Sequence, residues 1–382
     1  MVNYFSSDFK LGILGGGQLG RMLLSETQKF DVFTSVLESS IDAPCAAIAN
    51  NFVIGDIKNY DDVYNFGKSV AVLTIEIEHV NIDALLQLEK EGLPIYPQPS
   101  VLQIIQNKGL QKDFYRDNNI ATANYKRFTD LDSLKSADLV FPFIWKSELF
   151  GYDGSGVKKV TSISDLDLLP NVACIIEDII PFKNELAVIV ARNSNGDIKS
   201  YPVVEMEFNS DTNQVEYVLC PARISDSVAN KAQNIAVHVA NAFEHVGLLA
   251  VELFLTDDDS VMVNEVAPRP HNSGHYSIEA SFTNQFEQHL RAILNLPLGN
   301  TDSMLAAVMV NLVGAADNFG SVCYENMADI LDINGVTPHI YGKKVTKPFR
   351  KMGHVTIVDS DINTARATAE LVKNTIRVIS DS

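Results

Sequence analysis

The stretch LLAVELFLTDDDSVMVNEVAPRPHNSGH, Leu248 to His275, decides how this chain is read. Its first half alternates apolar residues around Glu252, passes through Thr256, Asp257, Asp258, Asp259 and Ser260, and resumes as VMVNEV. That pattern predicts two antiparallel strands around an acidic turn. With the turn centred between Asp258 and Asp259, Glu252 faces Glu265. Opposed residues of an antiparallel pair share a face, with Cβ atoms about 4.5–5.5 Å apart, and like charges there destabilise the sheet. A cation is therefore expected between them. Oxygen ligands without Cys or His favour a hard ion, and Mg²⁺ takes one or two carboxylates together with water and phosphate oxygens, which brings in a nucleoside triphosphate. The plain alternative is a register one residue off, with one glutamate in solvent. Beyond the hairpin, Pro268, Arg269, Pro270, His271, Asn272, Ser273, Gly274 and His275 make a loop shaped by proline and glycine and dense in polar groups.

The bulk numbers narrow the classes. A chain of 382 residues, 46% hydrophobic and 20% charged, has the composition of a globular protein of two or three domains. A formal charge of −18 disfavours nucleic acid and anionic membranes as partners. Cys45, Cys174, Cys220 and Cys323 lie far apart with no CxxC spacing, which fits a reducing cytoplasm better than a zinc ribbon or a disulfide framework. No basic n-region or long apolar run suggests export or membrane spanning.

In chain order, KLGILGG, a glycine turn, a helix from Gln18 to Lys29 and VFTSVLE predict the start of an α/β unit. Gly15, Gly17 and Gly20 form GxGxxG with Glu38 18 residues beyond Gly20, the spacing of a dinucleotide site and equally of tight strand-to-helix packing. SVAVLTIEIEHVN, Ser69 to Asn81, reads as a buried strand whose carboxyl end carries Glu76, Glu78 and His79, where open α/β sheets bind ligands. GLPIYPQPS marks a boundary near residue 100. VLQIIQNKGLQKDFYRDNNI predicts one helix, with Lys108 and Lys112 at i and i+4. FPFIWKSELFGYDGSGVKKV predicts a hairpin with Lys146 on its first strand and three glycines in its loop, able to bring backbone N–H groups to phosphate. CIIEDIIPFKNELAVIV is strand, turn, strand, with Glu177 and Glu185 on either side of the turn. The helix at 227–246 holds His238 and His245 as surface or packing residues. A further helix, TNQFEQHLRAILN, stops at LPLGN, a second boundary near residue 300. Short strands and a final helix from Ile362 to Asn374 follow. Lys343, Lys344, Lys347, Arg350 and Lys351 form a basic island suited to a phosphomonoester, or a solvated turn.

The string NEVAPRPHNSGH, together with the segment from Lys343 to His354, closely resembles the 5-(carboxyamino)imidazole ribonucleotide synthase family of ATP-grasp enzymes, and the resemblance covers nearly the whole chain. It implies a mixed α/β and α+β architecture: a Rossmann-like pre-ATP-grasp domain at 1–100, an ATP-grasp domain at 101–300 with a lid at about 120–190, and a small C-terminal domain at 301–382. The implied reaction is ATP- and bicarbonate-dependent carboxylation of 5-aminoimidazole ribonucleotide through carboxyphosphate, with Mg²⁺ or Mn²⁺, in a cytoplasmic homodimer of purine synthesis. By the resemblance, Lys108 and Lys146 touch ATP. Gly151, Tyr152, Asp153, Gly154, Ser155 and Gly156 cover its γ phosphate, and Tyr152 and Asp153 reach the second substrate. Glu177, Asp178, Ile179 and Ile180 hold adenine, and Glu185 holds the ribose. Glu252 and Glu265, with Asn264 adjacent, hold metal. Arg269 stabilises carboxyphosphate, while His271, Asn272, Ser273 and Asp153 orient bicarbonate or the imidazole. Gln18, Glu76, Lys343, Arg350 and Lys351 bind the ribonucleotide. Two positions depart from the family pattern: Phe208 stands in EMEF where a histidine is usual, and Ala267 where many ATP-grasp sites have asparagine. Another ATP-grasp ligase, such as a formate-using transformylase, and an NAD-dependent oxidoreductase using GGGQLG are the competing readings.

Overall fold

The computed structural model describes residues 4–149, 156–209, 212 and 214–380. At the N-terminus a five-stranded parallel sheet has Leu11–Leu14 at its centre, flanked by Thr34–Glu38 and Asn51–Ile54 on one side and by Val72–Ile75 and Ile95–Tyr96 on the other. Strands this uniformly apolar need both faces covered. Leu11 and Ile13 pack with Leu19, Leu23 and Leu24 of the helix Gln18–Lys29, while Leu14, Leu73 and Ile75 pack with Val63, Leu85 and Leu88 from two helices on the other face. The strand expected over residues 69–81 is shorter: the ladder ends at Ile75, and Glu76, Glu78 and His79 stand beyond it.

The helix expected after residue 100 is two helices, Pro99–Ile105 and Lys108–Asp117. Asn107 divides them because its side chain accepts the Leu110 N–H at 2.9 Å, capping a new helix instead of continuing the old one. Lys108 therefore begins a helix, and its N–H goes across the chain to the Glu148 carbonyl at 2.9 Å.

A nine-stranded sheet forms the middle of the molecule. Its order is Val261–Ala267, Gly247–Thr256, Phe182–Arg192, Val204–Phe208, Val215–Cys220, Ala306–Val313, Lys351–Asp359 and Val336–Ile340, with Ile198–Ser200 paired off this path. The ladder crosses residue 300 without a break, since Val215–Cys220 is hydrogen-bonded to Ala306–Val313. The helix Asp226–Ala242 lays Val228, Ala232, Ala236 and Val239 on Leu186, Val188, Leu249 and Val251, small residues at helical spacing that let it lie close to the sheet. Helix Gln285–Ile293 instead places Phe286, Leu290 and Ile293 in the N-terminal core. A separate four-stranded sheet, Tyr125–Phe128, Cys174–Asp178, Phe143–Ser147 and Val157–Val160, closes around Trp145. It is tied to the large sheet by a parallel bridge between Thr122 and Val263.

The hairpin that opened the reading is present, with one correction. Near its tip the register is Leu255↔Val261, Phe254↔Met262 and Leu253↔Val263, centred on Asp258 and half a residue from the expected turn. Continued unchanged, that register would set Glu252 opposite Asn264 and send Glu265 to the other face. A β-bulge at Asn264 supplies the extra residue, and beyond it Glu252↔Glu265 and Val251↔Val266 pair as expected.

Candidate active site

The two sheets enclose a cavity of 550 Å³. Glu185, Glu252, Asn264 and Glu265 line it from the nine-stranded sheet, Lys146 and Glu177 from the four-stranded sheet, and Lys108 from the start of its helix. Because the bulge makes Asn264 and Glu265 consecutive on one surface, both face the cavity. Lys108 pairs with Glu265, and Lys146 donates to Asn264 Oδ1 at 3.4 Å while pairing with Glu177 at 2.7 Å. The opposed acids differ in their surroundings. Lys108 holds Glu265 well below the usual carboxylate range, whereas burial and the neighbouring Glu265 charge push Glu252 up. Burial and Glu265 also push Glu185 up to about 7.

Among the described residues no group of three or more His, Cys, Asp or Glu side chains is arranged to hold a metal ion. Two carboxylates of like charge forced face to face, with an amide oxygen beside them, still suit a hard cation that takes its remaining ligands from water and phosphate. The donor set thus fits Mg²⁺ with a nucleotide and not a closed protein cage.

The loop after the hairpin reaches the same space. Arg269 grips Glu78 with both arms, at 2.5 and 3.1 Å, and despite burial the guanidinium holds Glu78 down to about 2. His271 accepts the Ser273 N–H at Nδ1, 3.3 Å away, so Nε2 carries its proton and lies 3.4 Å from Glu252 Oε1. Burial, with Arg269 and Lys351 adding to it, pushes His271 down to about 3, and it is neutral at pH 7. Asn272, Ser273 and Lys351 complete this end. At the other end Ile179, Ile180, Met206 and Phe208 line an apolar slot, beside Phe182 and Phe254 stacked at 4.7 Å. Asp178 sits at its edge and is tied to Asn124 at 2.9 Å. Phe208, noted as a departure from the family's histidine, is one of these lining groups.

Several expected residues lie elsewhere. Glu76, 9% exposed, accepts the Gly17 and Gly20 N–H groups, each at 3.0 Å, and does not line the cavity. It occupies the place where a dinucleotide phosphate would meet a helix N-terminus, and a Cβ on Gly17 would come within 2.6 Å of its oxygen. The glycine motif therefore serves internal packing, against the oxidoreductase reading. Gln18, the first residue of that helix, does not line the cavity either. Of the basic island only Lys351 does: the Lys343 ammonium donates to the Lys351 carbonyl at 2.7 Å and Arg350 to the Val345 carbonyl at 2.6 Å. Gly151, Tyr152, Asp153, Gly154 and Ser155 lie outside the described residues. Gly156 is described, with φ +79 and its carbonyl accepting the Ser147 N–H at 2.9 Å. Sequence reasoning left Glu78 undecided and passed over Lys112, although IEIE alternation and the i,i+4 spacing to Lys108 were legible signals for both.

A nucleotide-sized cleft between two sheets, with the paired acids on one, Lys146 on the other and Lys108 on a helix beside them, is the arrangement of an ATP-grasp ligase. Family models agree over most of the length: a ribonucleotide synthetase preATP-grasp domain matches 9–106, an ATP-grasp domain 113–286 and a phosphoribosylaminoimidazole carboxylase C-terminal domain 307–368. The chain is 36% identical to the N5-carboxyaminoimidazole ribonucleotide synthase of Bacillus subtilis, over 91% of each. It superposes on the N5-carboxyaminoimidazole ribonucleotide synthetase of Thermotoga maritima with a TM-score of 0.90, at 40% identity, covering 98% of this chain and 100% of that one. It also superposes on the Aspergillus clavatus N5-carboxyaminoimidazole synthase in complex with ADP and 5-aminoimidazole ribonucleotide, with a TM-score of 0.87, at 33% identity and 96% and 98% coverage. The chain belongs to the N5-carboxyaminoimidazole ribonucleotide synthase family. Some relatives are longer: it spans 64% of the length of a phosphoribosylaminoimidazole carboxylase to which it is 38% identical.

Proposed function

We propose that this chain carboxylates 5-aminoimidazole ribonucleotide at the expense of ATP and bicarbonate. The observation that carries the reading is the shared cavity, in which Glu252 and Glu265 face the lysines, Arg269 and His271 stand beside them, and an apolar slot lies at the far end. A bicarbonate oxygen attacks the γ phosphorus, the bond to the β-phosphate oxygen breaks, and ADP leaves. The amine nitrogen then attacks the carboxyl carbon of the carboxyphosphate, phosphate departs and the nitrogen loses its proton.

Roles follow from charge and reach. Lys108 and Lys146 offset the growing charge on the phosphates, where preorganised cations act most strongly in a site shielded from water. Glu252 and Glu265, with Asn264, would hold Mg²⁺, which would supply positive charge against that of the phosphates. Asp178, Ile179 and Ile180 bracket adenine, with Glu177 behind them and Glu185 at the ribose. Arg269, steered by Glu78, meets the carboxyphosphate, and neutral His271 with Asn272 and Ser273 orients bicarbonate and the imidazole. Lys351 faces the acceptor, and the reading extends Lys343, Arg350, Gln18 and Glu76 to its surroundings on the family resemblance alone. The same resemblance supports a lid at about 120–190, a role for Asp153 toward the acceptor, the divisions near 100 and 300, a homodimer and a cytoplasmic location. Among the described residues no helix is long and apolar enough to cross a membrane.

ADP formation, measured with the ribonucleotide and bicarbonate each omitted in turn, tests the proposal. Turnover that depends on both supports it, whereas turnover stimulated by formate in place of bicarbonate assigns the chain to a transformylase.

A further inference from the structure

Glu177 carries two lysines. Its Oε2 pairs with Lys146 at 2.7 Å and its Oε1 with Lys112 at 2.9 Å. Lys146 lines the cavity, but Lys112 lies behind it, 2% exposed and outside the lining. A buried ammonium persists only when paired and hydrogen-bonded, and Lys112 has both supports. Paired with Glu177, it donates its hydrogen bond to Thr122 Oγ1 at 2.5 Å, and that hydroxyl donates in turn to the Val263 carbonyl at 2.6 Å. Val263 immediately precedes the bulge at Asn264. Lys112 thus joins three parts of the site: its own helix, the strand that bears Glu177, and the hairpin that bears the paired acids.

Charge counting shows what this does for a nucleotide. With Lys112, the group Lys112, Glu177 and Lys146 keeps one net positive charge. Lys146 can then turn to a phosphate while Glu177 stays paired. Without Lys112 the remaining pair is neutral, and moving Lys146 would strand a buried carboxylate, which is costly. We propose that Lys112 is a positioning residue for nucleotide binding: by occupying Glu177 from behind the cavity it frees Lys146 for the phosphates. The inference rests on the ATP-using reading of the cavity. Burial drives Lys112 down to about 8 against the pull of Glu177, which leaves the ammonium form in the majority at pH 7.

The test compares Lys112→Met, Glu177→Gln and the double variant Lys112→Met/Glu177→Gln in the full chain, by calorimetric titration with MgADP and by the KM for ATP. Loss of one charge at this range should weaken MgADP binding and raise KM on the order of tenfold in Lys112→Met. The double variant, in which no carboxylate claims Lys146, should recover to within about threefold of wild type. A purely structural role for Lys112 would leave the double variant no better than the single. Should Lys112→Met fail to fold, Lys112→Gln, which is also neutral but keeps a hydrogen bond to Thr122, takes its place in the same comparison. Wild-type affinity in the Lys112 single variant, or no recovery in the double variant, would overturn the proposal. A wild type that binds no adenine nucleotide would defeat the ATP reading as well, so the two failures are distinguishable.

Discussion

Asn272 and Asn311 exchange amide hydrogen bonds, Asn272 Nδ2 donating to Asn311 Oδ1 at 2.9 Å and Asn311 Nδ2 to Asn272 Oδ1 at 3.0 Å. Asn311 Nδ2 also donates to the Val215 carbonyl at 2.9 Å, and since a carbonyl only accepts, both amides have a fixed orientation. A strand of the C-terminal region thereby aims a side chain of the loop after the hairpin. Asn311→Leu should cost about 1–3 kcal/mol of stability by leaving the carbonyl and the Asn272 amide unpaired. It should lower kcat/KM for the ribonucleotide about tenfold or more and leave MgADP affinity within about twofold. Equal losses for both ligands would show that Asn311 merely supports the fold.

Glu265→Gln removes one of the two opposed charges. Without ligand the melting temperature should fall modestly, because Lys108 loses its carboxylate partner even as the charge facing Glu252 is removed. The stabilisation that saturating MgADP confers on the wild type, growing as RT ln(1 + [L]/Kd), should largely disappear. ATP turnover should fall at least about a hundredfold, in line with loss of a group acting on the developing charge. Turnover near that of wild type would reject the metal assignment.

Glu76 fills the glycine turn with the protein's own anion. NAD and NADP should therefore give no thermal shift. Glu76→Ala opens the two amides of Gly17 and Gly20 and should destabilise the chain by roughly 2–4 kcal/mol. Inorganic phosphate should raise the melting temperature of the variant more than that of the wild type, because an anion can again meet the helix N-terminus. An equal response of both proteins to phosphate would remove the anion-filling argument.

His245 and His289 bracket Leu248. His245 Nε2 donates to the Leu248 carbonyl at 2.8 Å, and His289 accepts the Leu248 N–H at 3.2 Å on Nδ1, so its Nε2 donates to Thr74 at 3.0 Å. Burial pushes His245 down to about 4 and His289 to about 3. Below the unfolded value of about 6.5 the unfolded chain takes up protons that the folded chain refuses, so stability present above that pH is lost as pH falls toward 4. The expected loss is about 1.4 kcal/mol per histidine per pH unit, roughly 2 kcal/mol each at pH 5. Urea unfolding at pH 7.5 and 5 measures it, and His289→Asn should flatten the dependence. A flat wild-type profile would contradict the buried neutral assignment.

The facing acids, the helix Gln18–Lys29 and the strands around Glu177 were legible in the sequence because each is a local pattern: alternation about a turn, helical spacing after glycines, β-branched runs. The bulge at Asn264 was not, since a half-residue error in the turn and one extra residue in the strand cancel at Glu252 and Glu265 and leave no trace in alternation. Nor was the break at Asn107, where apolar spacing continues through a residue that caps through its side chain. Glu76 was placed correctly at a strand end, but its partners are amides 56 and 59 residues away, a relation periodicity does not carry. Lys343 and Arg350 look like free charge in sequence, and the fold turns their heads to carbonyls of their own loop.

The ladder that passes from the nucleotide wall into the C-terminal strands bears on how such a molecule can diversify. Its last third cannot be exchanged for that of another ligase without severing hydrogen-bonded strands in mid-sheet. A new acceptor would have to be reached by replacing single side chains, such as Asn311 or Lys351, upon a frame that stays whole.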